Sequence, residues 1–332
     1  MLPADTELCD LHIHVGASLA PHILWSIAHE HGFKLPVKDY WEFRDLVTAR
    51  PEKVQSLGDY LEILHAWTEK IQSSPSAIER SVHEIIGKEY RSSRVSHIEL
   101  RFNPMKRNAE GEMVLDYIII AALRGMERAM MEYGCRAGLI FCLAREFDLA
   151  KNEILVRKAE RYQRRGVVGI DLAGPEKHTI ELGADVAGYR ELFDRARRAG
   201  LGTTIHTGET AHTAAAGVLA VIEELRPDRI GHGVAAADDP EITAKLAERG
   251  ITLELCPSSN LRTRAVADLD DLGRVIGVFQ QAGVRYTINT DGTYLLGTNL
   301  RREFRMLLDA GILTPADVEK CLRTARAASF IR

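Results

Sequence analysis

Apolar residues in this chain fall into two alternating patterns. Short, nearly continuous apolar runs occur at Glu7–Val15, Val95–Asn103, Arg136–Ala144, Gly166–Gly174, Gly202–Glu209, Arg229–Val234, Thr252–Asn260 and Arg285–Asp291. Between them lie segments whose apolar residues recur every three or four positions: Val114–Tyr133, Ala187–Ala199, Pro240–Arg249 and Leu269–Ala282. The first pattern predicts strands buried on both faces and the second predicts helices that cover them. About eight such units predict a closed (β/α)8 TIM barrel. The alternative is an open doubly wound sheet. No Gly-x-Gly-x-x-Gly follows a strand, which argues against its dinucleotide-binding form.

One stretch breaks the alternation. From about 22 to 90 the pattern is mostly helical, with Trp41, Phe43, Tyr60, Leu61, Leu64 and Trp67 among its apolar residues. It follows the first strand, where an insertion sits over the catalytic face of a barrel and acts as a lid. Simple outer packing is the alternative for any one of these aromatics. With no low-complexity tract or clear linker, residues 1–332 are expected to form a single barrel domain.

Composition narrows the class. The chain has 332 residues, 45% of them hydrophobic, with a formal net charge of -4. The pI is near 6.3, which is no basis for a grip on nucleic acid. There is no apolar run of membrane-spanning length, and no basic-then-apolar leader pattern at the N-terminus. The cysteines, Cys9, Cys135, Cys142, Cys256 and Cys321, are scattered and odd in number. They are expected to be reduced thiols of a cytoplasmic protein and not a cysteine zinc site.

Polar residues of chemical interest stand where the apolar runs end, and in a barrel those ends converge on one face. His12 and His14 are two apart on a strand and so point the same way. Neighbouring imidazoles can share a metal ion, although two core histidines bonded to backbone would read the same. His206 with Glu209, His232 between glycines, and Asp291 end three later runs. Singly, each has an ordinary structural explanation. Together they supply metal ligands, a free carboxyl and a further imidazole, an inventory suited to a catalytic metal with acid–base helpers.

These landmarks, taken in order, resemble the adenosine deaminase family of amidohydrolase barrels. They are His12-Ile13-His14, Gly169 to Glu176, His206-Thr207-Gly208-Glu209, Arg229 to Gly233, Leu255 to Asn260, and Asn289-Thr290-Asp291. Ala325–Phe330 is similar to the family's closing helix. The resemblance implies one zinc ion held by His12, His14, His206 and Asp291, with a water of lowered pKa at the open position. Glu209 would protonate the ring nitrogen beside the amino-bearing carbon. His232 would orient the water and stabilise or accept its proton, and Asp291 would hydrogen-bond that water. Gly174 would offer its backbone N–H to the ring. The implied activity is hydrolytic deamination of adenosine or a related small aminopurine, with release of ammonia. A second zinc deaminase pattern, His-x-Glu with Cys-x-x-Cys, is only half mimicked by His97-Ile98-Glu99 and is rejected.

The chain departs from the family at two substrate-reading positions. Gly16 replaces an aspartate that contacts the sugar's terminal hydroxyl, and Gly292 replaces one that bonds a purine nitrogen. Both substitutions are expected to widen the pocket. Two other readings remain open: an amidohydrolase acting on a different amino-heterocycle or a modified adenine derivative, and a non-catalytic binding protein on the same fold.

Overall fold

In the computed structural model, which describes residues 2–108, 114–180, 183 and 185–332, eight parallel strands form one sheet in sequence order. They are β1 (Leu8–His14), β2 (Val95–Phe102), β3 (Arg136–Ala144), β4 (Val167–Ala173), β5 (Gly202–Thr207), β6 (Arg229–His232), β7 (Thr252–Leu255) and β8 (Arg285–Ile288). The edges meet. Ile13 bridges to Asp291, His14 N–H donates to the Asp291 carbonyl at 2.7 Å, and Asp291 N–H donates to the His12 carbonyl at 2.8 Å. The sheet therefore closes into a (β/α)8 barrel. Helices at Leu115–Tyr133, Leu149–Tyr162, Val186–Arg198, Pro240–Arg249 and Leu269–Gln281 surround it.

The expected strand at Thr252–Asn260 is the largest departure from the sequence reading. β7 stops at Leu255, and Pro257–Arg262 forms a short helix with proline in its first turn. Proline there lacks only an N–H that would have no partner in the helix, and its ring fixes a helical φ. This helix aims Ser259 and Asn260 inward, where a strand would have alternated them.

The helical stretch after β1 divides. Pro75–Ser93, capped by Ser74 on Ala77 N–H, lies outside the barrel against β2 and Leu115–Tyr133. Its buried residues Ile78, Val82, Ile85, Ile86 and Glu89 form one face. Shorter helical pieces from Leu57 to Ile71 lie instead over the strands' C-terminal ends. A π-helical segment, Leu64–Thr68, interrupts them.

The barrel interior carries a chain of buried charges among its apolar residues. Glu99 accepts from Arg229 Nη2 at 2.6 Å, Ser329 Oγ at 2.8 Å and Phe330 N–H at 2.6 Å. Arg229 Nε lies 2.7 Å from Glu254. Arg101, fully buried, joins Glu254 at 2.8 Å to Asp171 at 2.9 Å. Such charges are tolerated in a core only when paired and hydrogen-bonded, and this chain of pairs ends at the histidines. The five cysteines are buried and unpaired. Among the described residues no helix is long and apolar enough to cross a membrane.

Candidate active site

Parallel strands deliver their C-terminal ends to one rim, and the residues singled out in the sequence gather there. The rings of His12 and His14, from β1, have centroids 5.3 Å apart, and those of His12 and His206 are 4.6 Å apart. One ligand-type atom from each of His12, His14 and His206 falls within 4.8 Å of the other two. His14 Nε2 and His206 Nε2 are 3.0 Å apart, and Asp291 Oδ1 stands 3.6 Å from His14 Nε2. His232 and Glu209 complete the group, with His232 Nε2 3.5 Å from Glu209 Oε2.

The imidazoles are oriented from behind by carboxylates. His12 Nδ1–H donates to Glu254 at 2.7 Å, and His206 Nδ1–H donates to Asp171 at 3.0 Å. Burial pushes both carboxyls up, but their neighbours outweigh it: Arg101 and Arg229 beside Glu254, and the His206 ring with Arg101 beside Asp171. Both are held below the usual carboxylate range. With Nδ1 donating, each Nε2 carries a lone pair. Burial, with lesser help from Arg101 and the other histidines, pushes His12 well down; burial and then His206 do the same for His14. His12 Nε2 is buried and has no hydrogen-bond partner. Imidazole lone pairs that converge, one of them orphaned, form a cradle for a cation. This donor set of nitrogens beside one carboxylate fits zinc.

Asp291 and His232 both take left-handed backbone, with φ of 61° and 60°. Such conformations are strained for non-glycine residues and persist where the surroundings hold them. Ser259 Oγ donates to Asp291 Oδ2 at 2.6 Å. The Asn260 carbonyl oxygen accepts from Cys256 N–H at 3.3 Å, so its amide nitrogen donates to His232 Nδ1 at 2.9 Å. Burial, followed by His206, pushes His232 down to about 3. The neutral ring therefore carries its proton on Nε2, facing Glu209 and the chamber. Burial, then Glu176 and Asp291, pushes Glu209 well above the usual carboxylate range, against a 3.0 Å bond from Thr263 Oγ. Glu176 holds the loop by accepting from Glu209 N–H at 3.2 Å, Thr210 N–H at 2.7 Å and Thr213 Oγ at 2.6 Å.

Two adjacent chambers open off this cluster. The catalytic chamber is lined by His14, His206, His232, Glu209 and Asp291, with Gly174 and Glu176 on one side and Leu57, Tyr60, Leu61 and Leu64 above. The second chamber shares His14, Leu61, Leu64, Ala173 and Gly174 and runs past Gly16 to His65, Glu69, Asn103, Lys106 and Arg107. They enclose about 40 and 50 Å³, against roughly 300–1,000 Å³ for an ordinary small-molecule site. The 57–71 segment is thus closed over the rim and must shift to admit a ligand. A larger cleft, about 950 Å³, lies at the strands' other ends around Arg229 and Phe330 and touches none of these groups.

The expected widening at Gly16 and Gly292 does not occur. A Cβ on Gly16 would meet Leu64 Cδ1 at 2.8 Å, Glu69 Cγ at 3.0 Å and Arg107 Nη2 at 3.1 Å. A Cβ on Gly292 would meet Ala17 Cβ at 2.6 Å and, closer still, the Tyr60 hydroxyl. The side chains missing at 16 and 292 are replaced in space by others from the 57–71 segment and from Arg107. Gly16→Ala is accordingly expected to lower folding stability by about 1–3 kcal/mol through overpacking, measurable by denaturant melts; an unchanged midpoint would mean the segment yields freely. Gly174, at φ 104°, is a different case. A Cβ there would lie 2.5 Å from Glu146 Oε2, the end of a side chain that can swing aside, so it is the backbone conformation that requires glycine.

Several contributing residues had no role in the sequence reading. Asp171, Ser259 and Asn260 lie within the landmark motifs. Tyr60 reads only as an apolar residue of the helical insertion, and Glu254, Arg101 and Arg107 have no signal beyond a charged residue in or after an apolar run.

A sequence profile of the adenosine deaminase family matches residues 7–332. An adenosine deaminase from Clostridium kluyveri is 31% identical over 97% of this chain and 88% of its own length. One from Vibrio vulnificus is 29% identical over 94% and 91%. Among solved structures, an adenine deaminase from Arthrobacter aurescens superposes with a TM-score of 0.84 at 21% identity, covering 98% of this chain and 94% of its own. A zinc-bound amidohydrolase from Burkholderia ambifaria gives 0.84 at 21%, over 98% and 86%. The Arabidopsis N6-mAMP deaminase gives 0.81 at 21%, over 98% and 94%. The structures, at this identity, speak for the fold; the profile match across nearly the whole chain decides the family. With its strand-end histidines and buried acid brought to one rim, this chain belongs to the adenosine deaminase family and is a hydrolytic deaminase acting on C–N bonds.

Proposed function

We propose that the protein is a zinc-dependent deaminase of a small aminopurine. The observation that carries this reading is the orphaned His12 Nε2 grouped with His14 and His206, with the buried acid Glu209 3.5 Å from the neighbouring His232. His12, His14, His206 and Asp291 would hold the ion. Bound there, zinc would supply a Lewis acid that makes water nucleophilic near neutral pH. The rest is done by the chain. Glu209, kept protonated by burial and by its acidic neighbours, gives its proton to the ring nitrogen beside the amino-bearing carbon and makes that carbon electrophilic. His232 orients the attacking water as a donor through Nε2–H, since Asn260 already occupies Nδ1. As the water oxygen bonds to the carbon, Asp291 takes one of its protons and passes it to the amino group, which leaves as ammonia; the remaining hydroxyl proton returns to Glu209 as the ring carbonyl forms. Gly174 lets the ring approach its backbone N–H, and the closed 57–71 segment excludes water. The aminopurine class is supported by the family and by structural relatives that include adenine and N6-mAMP deaminases.

Tyr60 is proposed as a replacement for the purine-reading group missing at 292. Its hydroxyl is buried, unpartnered and stands where a side chain at 292 would project. Tyr60→Phe should raise KM about 10-fold, as loss of one hydrogen bond predicts, with zinc content unchanged. Its melting temperature should hold or rise, because the hydroxyl has no partner to lose. An unchanged KM would remove Tyr60 from substrate recognition.

Ammonia release across aminopurines, aminopyrimidines and aminopterins tests the proposal. Turnover confined to aminopurines is expected. Turnover only on another ring would establish the second reading, a deaminase of a different heterocycle.

A further inference from the structure

We propose that the second chamber is an oxyanion site, so that the substrate is an aminopurine whose end remote from the purine carries a carboxylate or phosphate. This rests on the aminopurine reading of the catalytic chamber. The two chambers share His14, Leu61, Leu64, Ala173 and Gly174 and so are adjacent, and a ligand seated once the 57–71 segment has shifted can reach both. At the far wall Arg107 is fully buried. Among the described residues its one ion contact is Nη1 to Glu69 Oε1 at 2.7 Å, and none of its three nitrogens has an aligned hydrogen-bond partner. Asn103 adds further donors. Its carbonyl oxygen accepts from Met105 N–H at 2.9 Å and Lys106 N–H at 3.1 Å, which fixes the amide and leaves Nδ2 buried and unpartnered. Lys106 Nζ lies beside them, 2.5 Å from Glu146.

Among the described residues the carboxylates here are already engaged, while His65 Nε2 is left buried and unpartnered. Glu69 faces Arg107 with one oxygen and His65 Nδ1, at 2.6 Å, with the other. Burial pushes Glu69 up, but Arg107 and the His65 bond outweigh it and hold it well down, so it stays ionised and keeps both partners in place. Glu146 is paired with Lys106. The formal charges of Lys106 and Arg107 thus match those of Glu69 and Glu146, and what remains in excess is N–H. A guanidinium offers five donors in a flat fork, the complement of a carboxylate or phosphate edge. A hydroxyl, with two lone pairs and a proton of its own, would leave most of these donors unanswered. Gly16 is part of the same device. A carboxylate at 16 would grow from a Cβ 3.1 Å from Arg107 Nη2 and claim it; glycine leaves that nitrogen to the ligand.

The test compares kcat/KM of the zinc-loaded protein for adenosine, adenosine 5′-monophosphate and adenosine-5′-carboxylic acid. At least one anionic substrate should exceed adenosine by about 100-fold, the gain expected of charge-assisted hydrogen bonds in a buried site; which one leads identifies the anion. Calorimetry with inosine and its two 5′-anionic counterparts should show the same order without any turnover. In Arg107→Gln the preference for the anion over adenosine should fall at least 10-fold. Should that variant fail to fold, Lys106→Gln, at a partly exposed position, should weaken the preference in the same direction. Adenosine bound and processed as well as both anions by the unaltered protein would overturn the proposal while leaving the deaminase assignment standing. Absence of turnover on every purine would overturn the proposed function instead, and the calorimetric order would still decide the anion site.

Discussion

Replacing Glu209 by glutamine should lower kcat by about 10²–10⁴-fold, the usual worth of a positioned general acid, while zinc content and melting temperature stay unchanged. The amide matches the carboxyl in shape, can still accept from Thr263 Oγ, and has no acidic proton for the ring. The pH dependence follows from the same environment. Glu209 lies buried near Glu176 and Asp291, which raises its affinity for a proton. The active form is the protonated one. In the unaltered enzyme kcat should therefore be retained on the acid side of this raised pKa and fall as pH rises through it. Glutamine should remove that alkaline limb along with the rate. A variant within a few-fold of the parent, with chemistry limiting, would show that another group protonates the ring.

The second large effect concerns the ion. His206→Ala and Asp291→Ala should each lose most bound zinc and with it most activity, whereas Asn260→Ala, whose side chain bonds His232 and Cys256 N–H and none of the proposed ligands, should keep the metal. Elemental analysis of the purified variants checks this. Full zinc retention in both ligand variants would show that the ligand set is wrong. Asp171→Asn and Glu254→Gln are expected to be intermediate, with metal affinity weakened about 10–100-fold, because each leaves the ligand imidazole in place and removes the carboxylate that fixes its tautomer.

The part of this site that could be read from the sequence was the part set by strand geometry. His12 and His14 alternate onto one face of β1, and His206, His232 and Asp291 each end an apolar run, so the rim of a parallel barrel must gather them. Glu254 was not legible in the same way. In Thr-Leu-Glu-Leu a glutamate on a strand reads equally as solvent-facing, and only barrel closure places it behind His12. The inward turn of Ser259 and Asn260 was hidden because the apolar run continues through Cys256, while Pro257 starts a helix there. Gly16 and Gly292 show the main limit. A deleted side chain predicts empty space only if nothing else reaches it. Here Leu64, Glu69 and Tyr60 arrive from a segment more than forty residues along the chain from Gly16, and no local pattern reports that. The stretch expected to be helical up to about residue 90 likewise mixes two roles. The amphipathic period of Pro75–Ser93 fits a barrel-covering helix, whereas Leu57, Tyr60, Leu61 and Leu64 show their role only through the chambers beneath them.

The most direct test of a zinc-dependent aminopurine deaminase is to strip the purified protein of metal with a chelator and titrate zinc back, following ammonia release and loss of the amino group from an adenine-containing substrate. Activity is expected to be absent from the stripped protein and to rise linearly, reaching a plateau at about one zinc per chain. Full turnover by the metal-free protein, or a reloaded protein that releases no ammonia from any aminopurine, would contradict the account.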